Sequence, residues 1–480
     1  MKLLKTMFGV MLLASVFFPG ASLLWAQQDE PMPVPEDKPK PAARTNPLSV
    51  GEDSQENPNV DPNALQADYT PLTGMQNATL GIPEIRHSYW VPGIQYSANI
   101  QSNNYSQPNS SGWYVDNYVA GNVSLLEAWS RDTLNLDYSG GAFFSTSSAN
   151  GTSEYQQFAA SNDYRGNRWL VQLFENFSYL PQTSFGFGGG TNLGVPGVGG
   201  VGVTVPGAGN GYVPNQSIYA GLGPRYSNFG GLQATYYLSR RSSITVSGAY
   251  GILHFIDPGN IDTDSIVGTI GYNYALSRED SIGLVYSFTA YRYPGLPEAY
   301  GNHTASFAYG RKITGRLAMR LMGGPQITTF RVPVGNQTQQ VNGYFNGSLN
   351  YGLKNGNITA TYVHSLSGGS GVVIGSSLDQ INLSANRRLT RVWSGNVNFG
   401  YAHNGTVNAG VTSVPTYNSY YAGGGVTRPI GRYMNLAVAY TASIGSTNQP
   451  GCTGTGCNPT NLYHTVIVNF QWHTRPFILP

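Results

Sequence analysis

The sequence is short of charge: Asp, Glu, Lys and Arg make up only 10% of its 480 residues, against roughly a quarter in soluble chains. A soluble protein so poor in charge would need a very large core to stay dissolved. It also lacks long apolar runs. Beyond the N-terminus no stretch of about 18–20 apolar residues occurs, so no spanning helix is available. No Cys follows the N-terminal apolar run, which excludes lipid attachment of the bacterial lipoprotein kind. Aliphatic residues do not fill the deficit of charge, because mean hydropathy is only −0.23. Uncharged polar residues fill it, together with 61 Gly and 33 Tyr. That mixture suits a wall with an oily side and a wet side.

The N-terminus supplies an address. Lys2 and Lys5 precede an apolar run interrupted by Pro19 and ending near Ala26, the pattern of a secretory signal peptide over 1–26. Residues 27–88 follow as a Pro-rich, largely disordered segment. That segment carries ten acidic residues against four basic ones, a net charge of −6, whereas 89–480 carries +6.

From about Gly93 to the C-terminus, side chains alternate between apolar and polar. In HTVIVNFQWH (464–473), Val466, Val468, Phe470 and Trp472 share one face, with Ile467 the exception on the other. In SITVSGAYGIL, Ile244, Val246, Tyr250 and Ile252 oppose Thr245, Ser247 and Ala249. Phe345, Leu349 and Tyr351 oppose Asn342, Asn346 and Asn350 in the same way. Successive strand side chains point to opposite faces, so each segment separates two solvents. Connections between the segments alternate short and long. The short ones are 127–132, 165–168, 239–243, 276–280, 311–316, 353–357, 387–391 and 428–432. Eight short turns make sixteen strands, and an opening strand near 93–101 with a closing one at 463–473 brings the count to eighteen. The predicted fold class is all-β: a transmembrane antiparallel β-barrel of about 18 strands (16–18) over 89–480. A membrane protein without helices must be closed in this way, because lipid satisfies no open strand edge.

Fifteen of the twenty Lys and Arg in 89–480 sit in or beside the short turns, and Trp129, Trp169, Trp393 and Trp472 flank the same edge. Indoles prefer the headgroup layer, and cations there meet anionic inner-leaflet lipid. The region 93–480 therefore resembles a Gram-negative outer-membrane β-barrel, porin-like in size and loop plan. The resemblance lies in architecture, without the motif of any one family. It implies a Gram-negative outer-membrane location, with both termini periplasmic. Barrels of this kind usually end on an aromatic residue, whereas this chain runs past Trp472 with HTRPFILP. Either Phe477 substitutes or the last residues hang free.

Several motifs are weighed on their chemistry. Gly197, Gly199 and Gly202 spell GxGxxG, but Val-Thr-Val-Pro follows, so no helix can open there and dinucleotide binding is excluded. The loop 181–216 around them has no charge. It either narrows the lumen by size or lies outside as a lid. Cys452 and Cys457 are expected to form one loop disulfide. The seven His are scattered without metal-ligand spacing, and no enzyme, metal, cofactor or nucleic-acid partner is implied. The inward face is expected to be lined by Asn342, Asn346, Asn350, Gln380, Asn382, Asn386, Asn396 and Asn398. Asp116, Asp137 and Arg320 are its few charges. A barrel of this size leaves a water channel, and a mostly neutral lining suits passive diffusion of small hydrophilic, uncharged solutes. A rival reading is a structural or interaction barrel that docks a periplasmic or surface partner. The acidic segment 27–88 and the basic turn ring should attract one another at the periplasmic mouth.

Overall fold

The computed structural model describes residues 88–102, 112–146, 152–180, 224–256, 260–334, 337–369, 371, 373–407, 416–447 and 460–479. Its strands are β1 (Tyr89–Ser102), β2 (Trp113–Ala128), β3 (Asp132–Ser145), β4 (Thr152–Arg165), β5 (Trp169–Leu180) and β6 (Arg225–Tyr237). Then come β7 (Ser242–Phe255), β8 (Thr263–Ala275), β9 (Asp280–Arg292), β10 (Ala299–Lys312), β11 (Leu317–Val334) and β12 (Gln337–Leu353). The series ends with β13 (Gly356–Ser367), β14 (Ser376–Arg388), β15 (Ser394–Thr406), β16 (Thr416–Ile430), β17 (Met434–Thr447), β18 (Thr460–His473) and a two-residue β19 (Phe477–Ile478). Each long strand pairs antiparallel with the next, and β18 returns to β1, from Gly93 against His473 to Gln101 against Thr465. The result is a closed barrel of eighteen strands, and the described residues contain no helix. Closure leaves no unpaired edge among the long strands, the condition for a sheet to sit in hydrocarbon.

Alternation decides which side chains meet which medium. The outward rows are apolar and exposed, as at Val341 (71%), Leu284 (63%) and Ile94 (56%). Alternate residues face inward and are largely polar: Ser97, Asn99, Thr245 and Ser419 are all but inaccessible. Ile467, out of pattern in the sequence, is buried on the inward face with Tyr118, Phe143, Tyr155 and Ala439. An inward cluster of apolar and aromatic side chains thus covers β2–β4 and β17–β18, on a face the sequence led us to expect as dominated by Asn, Ser, Thr and Gln.

Four of the short turns share one construction. Ser239, Ser277, Thr314 and Thr390 each turn a hydroxyl back to accept the N–H groups two and three residues on. This local side-chain bond ends one strand and starts the next. It explains the recurring Leu/Ile-Ser/Thr pair of LSRRS, LSRED, ITGRL and LTRVW.

At the chain end one of the two alternatives falls away. Residues 474–479 do not hang free: Phe477 and Ile478 pair with Trp90 and Tyr89 of β1. Phe477 stacks on Trp90 with ring centroids 5.0 Å apart, and the apolar contact together with the ladder bonds holds the tail to the barrel wall.

Candidate functional site

Register assigns every strand residue to a face. Asp116, Asp137 and Arg320 lie on the inward side, as do Asn342, Asn346, Asn350, Gln380, Asn382, Asn386, Asn396 and Asn398, each opposite an outward apolar row. Several inward groups hold one another. Ser145 Oγ donates to Asp116 Oδ1 at 2.6 Å, Gln101 Nε2 donates to Oδ2 at 3.2 Å, and Tyr114 Oη donates to Gln101 at 3.1 Å. Thr359 donates to Asn350 at 2.9 Å, and Tyr421 Oη reaches Asn382 at 3.3 Å. Polar side chains pinned to their neighbours make a wall of fixed donors and acceptors rather than loose brushes.

The structure adds two inward charges that sequence reasoning missed. Asp163 on β4 and Arg225 at the start of β6 are both buried on this face, with the Arg225 guanidinium 5.9 Å from the Phe255 ring centroid. The inward carboxylates Asp116, Asp137 and Asp163 therefore gather on β2–β4, while Arg320 lies on β11, eight strands from β3 and so near the opposite wall. Alternation could have placed Asp163 and Arg225, but each sits beside a turn or loop whose bounds are uncertain from sequence.

One connection enters the barrel. The segment joining β13 to β14 crosses the inner side of β11 and β12 and lands on β7–β10. There the inward rings of Phe255, Tyr291, Tyr293 and Tyr300 form a landing surface, with Ile374 packed on the tyrosines. Tyr293 Oη donates to Gly368 O at 3.2 Å, Tyr300 Oη donates to Ser367 O, and Ile261 N donates to Gly371 O at 2.9 Å. Gly369, Gly371 and Gly375 adopt φ of 85°, 85° and 68°, the left-handed region that favours glycine. A Cβ on Gly371 would strike the Phe255 ring, and one on Gly375 the Tyr300 ring. The described residues of this segment thus lie over the inward face at the long-loop mouth. The expectation of a narrowing loop fell on 181–216, which lies outside the described residues.

Histidines also come together with partners the sequence did not reveal. On the outward face at the long-loop end, His254 meets Asp262, and His364 meets Asp379 at 2.6 Å. In the same zone Tyr286 bonds His303 and Tyr440 bonds His464, each at 2.7 Å. These pairs form a polar, hydrogen-bonded rim. At the other edge, Trp129 and Trp169 are half exposed, Trp169 packs on Tyr236 at 4.5 Å, and Arg428 lies 5.4 Å over the Trp393 ring. Trp472 sits opposite Met434 and Ile94. Cys452, Cys457, His87, the segment 27–87 and the signal region lie outside the described residues.

No family model matches this chain, and no curated protein does. Among solved structures it is similar to Pseudomonas aeruginosa OpdK with vanillate, at 10% identity and a TM-score of 0.43, covering 80% of this chain and 99% of that one. It is likewise similar to Pseudomonas aeruginosa OccK2 (OpdF) in complex with glucuronate (9%, TM-score 0.43, 81% and 99%). A third is Acinetobacter baumannii OccAB2 (11%, TM-score 0.42, 80% and 98%). Likenesses at this level carry nothing about what this barrel admits.

Proposed function

We propose that the protein is a passive outer-membrane channel for small hydrophilic solutes. The observation that carries this reading is the closed eighteen-strand wall, polar within and apolar without, with one connection folded across its mouth. Barrels of this strand number are too wide for side chains to fill, so water occupies the bore. Diffusion through it needs no cofactor and no bond-making step. The named Asn and Gln residues line the path, and with few charges on either wall the bore favours uncharged solutes and discriminates weakly between ions.

Orientation follows from the edges. The ring of Arg and Lys at the short turns, beside Trp129, Trp169, Trp393 and Trp472, suits the anionic inner leaflet. Short turns and both chain ends then face the periplasm, while the β13–β14 connection sits at the outer mouth. Segment 27–88, with its net charge of −6, is opposite in sign to this rim, so the two should attract at low ionic strength.

Purified protein in a planar bilayer tests the reading. Discrete, long-lived current steps are expected, with liposome swelling that falls off as sugar size increases. A correctly folded barrel that is electrically silent and passes no sugar would sink the channel and leave a docking barrel in its place.

A further inference from the structure

Between the polar rim at the long-loop end and the short-turn edge, the outward rows of the described strands are apolar except on β4–β6. On β4 the outward row reads Gln156, Phe158, Ala160, Asn162; on β5 it reads Leu173, Glu175, Phe177; on β6 it reads Asn228, Gly230, Leu232. Their neighbours establish the side: Leu173 and Leu232 are exposed (45% and 44%), whereas Phe174, next to Leu173, and Phe229, an odd number of residues from Leu232, are buried inward. Glu175 lies mid-strand, six residues beyond Trp169. At roughly 3.4 Å per residue and a tilt near 45°, that is about 14 Å above the level of Trp169. A carboxyl group there stands in hydrocarbon, where ionisable side chains are costly and mark contact with something other than lipid tails.

The surroundings of Glu175 are built to receive a flat partner. Its side chain lies across Gly230, which has no Cβ to displace it, and Asn228 Nδ2 donates to Oε1 at 2.6 Å. Ala160 pairs with Glu175 on the β4 side, so small residues flank the carboxyl on both neighbouring strands. Small residues of this kind let two backbones approach closely in a membrane.

We infer that the β4–β6 face is where a second copy of this chain docks, with the partner's surface covering Glu175 and removing it from lipid. The patch carries its own complement. Glu175 is an acceptor, and Gln156 and Asn162 on β4 present amide donors on the same outward face, so two copies bring donors against acceptors. Closed symmetric self-association is also the common form of soluble oligomers. Acyl chains offer no hydrogen bond at this depth, which sets a protein partner above lipid. The inference is independent of transport: a monomeric channel would sink it and spare the channel, and a silent oligomer would do the reverse.

The test uses the full chain, purified in a mild non-ionic detergent and weighed by light scattering with the detergent subtracted. The wild type is expected to run as a stable oligomer. A160W, whose indole projects from the outward face, is expected to run as a monomer while keeping the heat-modifiable gel migration of a folded barrel. E175L, which removes the polar group without adding bulk, should weaken association at least ten-fold in a dilution series, and E175Q should retain most of it. A monomeric wild type at every concentration, or an A160W oligomer as stable as the wild type, overturns the inference.

Discussion

Replacing Gly369 and Gly371 together by alanine should open the outer mouth. The β13–β14 connection is held down by three hydrogen bonds, from Tyr293, Tyr300 and Ile261. Each contributes about 0.5–1.5 kcal/mol net, so docking by bonds alone amounts to about 1.5–4.5 kcal/mol. Both glycines hold φ near 85°, and a residue with a Cβ loses about 1–2 kcal/mol in that region. Two such losses, of about 2–4 kcal/mol in all, match the docking energy. The new Cβ of residue 371 also meets the Phe255 ring, which tips the balance further. The connection should then spend most of its time lifted from the tyrosines. Single-channel conductance in a planar bilayer should rise, and liposome swelling should admit larger sugars than the wild type admits. G369A/G371A with the wild-type conductance and size limit would refute the idea that this segment narrows the bore.

Other outcomes follow from charge and turn chemistry. A unit charge about 8 Å from a solute's path in water acts with about 0.5 kcal/mol, roughly a two-fold change in permeability. R320Q should therefore shift reversal potentials in a salt gradient toward cations, and D137N toward anions; identical potentials would place both charges away from the path. T314V and T390V each remove one hydroxyl that accepts two N–H groups. Each should cost about 1 kcal/mol, read as an earlier urea midpoint in vesicles, with T314S restoring the wild type. Deleting 27–88 should raise conductance at low ionic strength and leave it unchanged in 1 M salt, where screening acts within about 3 Å; equal currents at low salt would deny the attraction.

Strand alternation and turn placement were legible because they are local. Val466, Val468 and Phe470 declare a lipid-facing row without reference to any other strand, and LSRED or LTRVW declare a turn by one hydroxyl. The inward Asn rows could be assigned for the same reason. The β13–β14 crossing was not legible, because its glycines answer to Phe255 and Tyr300, which are brought near only by the curvature of the sheet. Glu175 was missed for a related reason: a single acid in WLVQLFENFSYL shows its side only once Leu173 and Phe174 are placed. Ile467 looked like a flaw in the pattern until Tyr118 and Phe143 gave it company.

The join between β1 and β18 has a consequence for how such a wall can be made. Its bonds connect residues as far apart as Pro92 and Thr474, so the last partner of the first strand is made long after that strand itself. Contacts this distant are slow to find, and until they form both outer strands expose a row of unsatisfied amides that lipid cannot serve. The polypeptide must therefore reach the bilayer with those two margins shielded by a helper, and any delay at that final meeting exposes sticky ribbon to its neighbours.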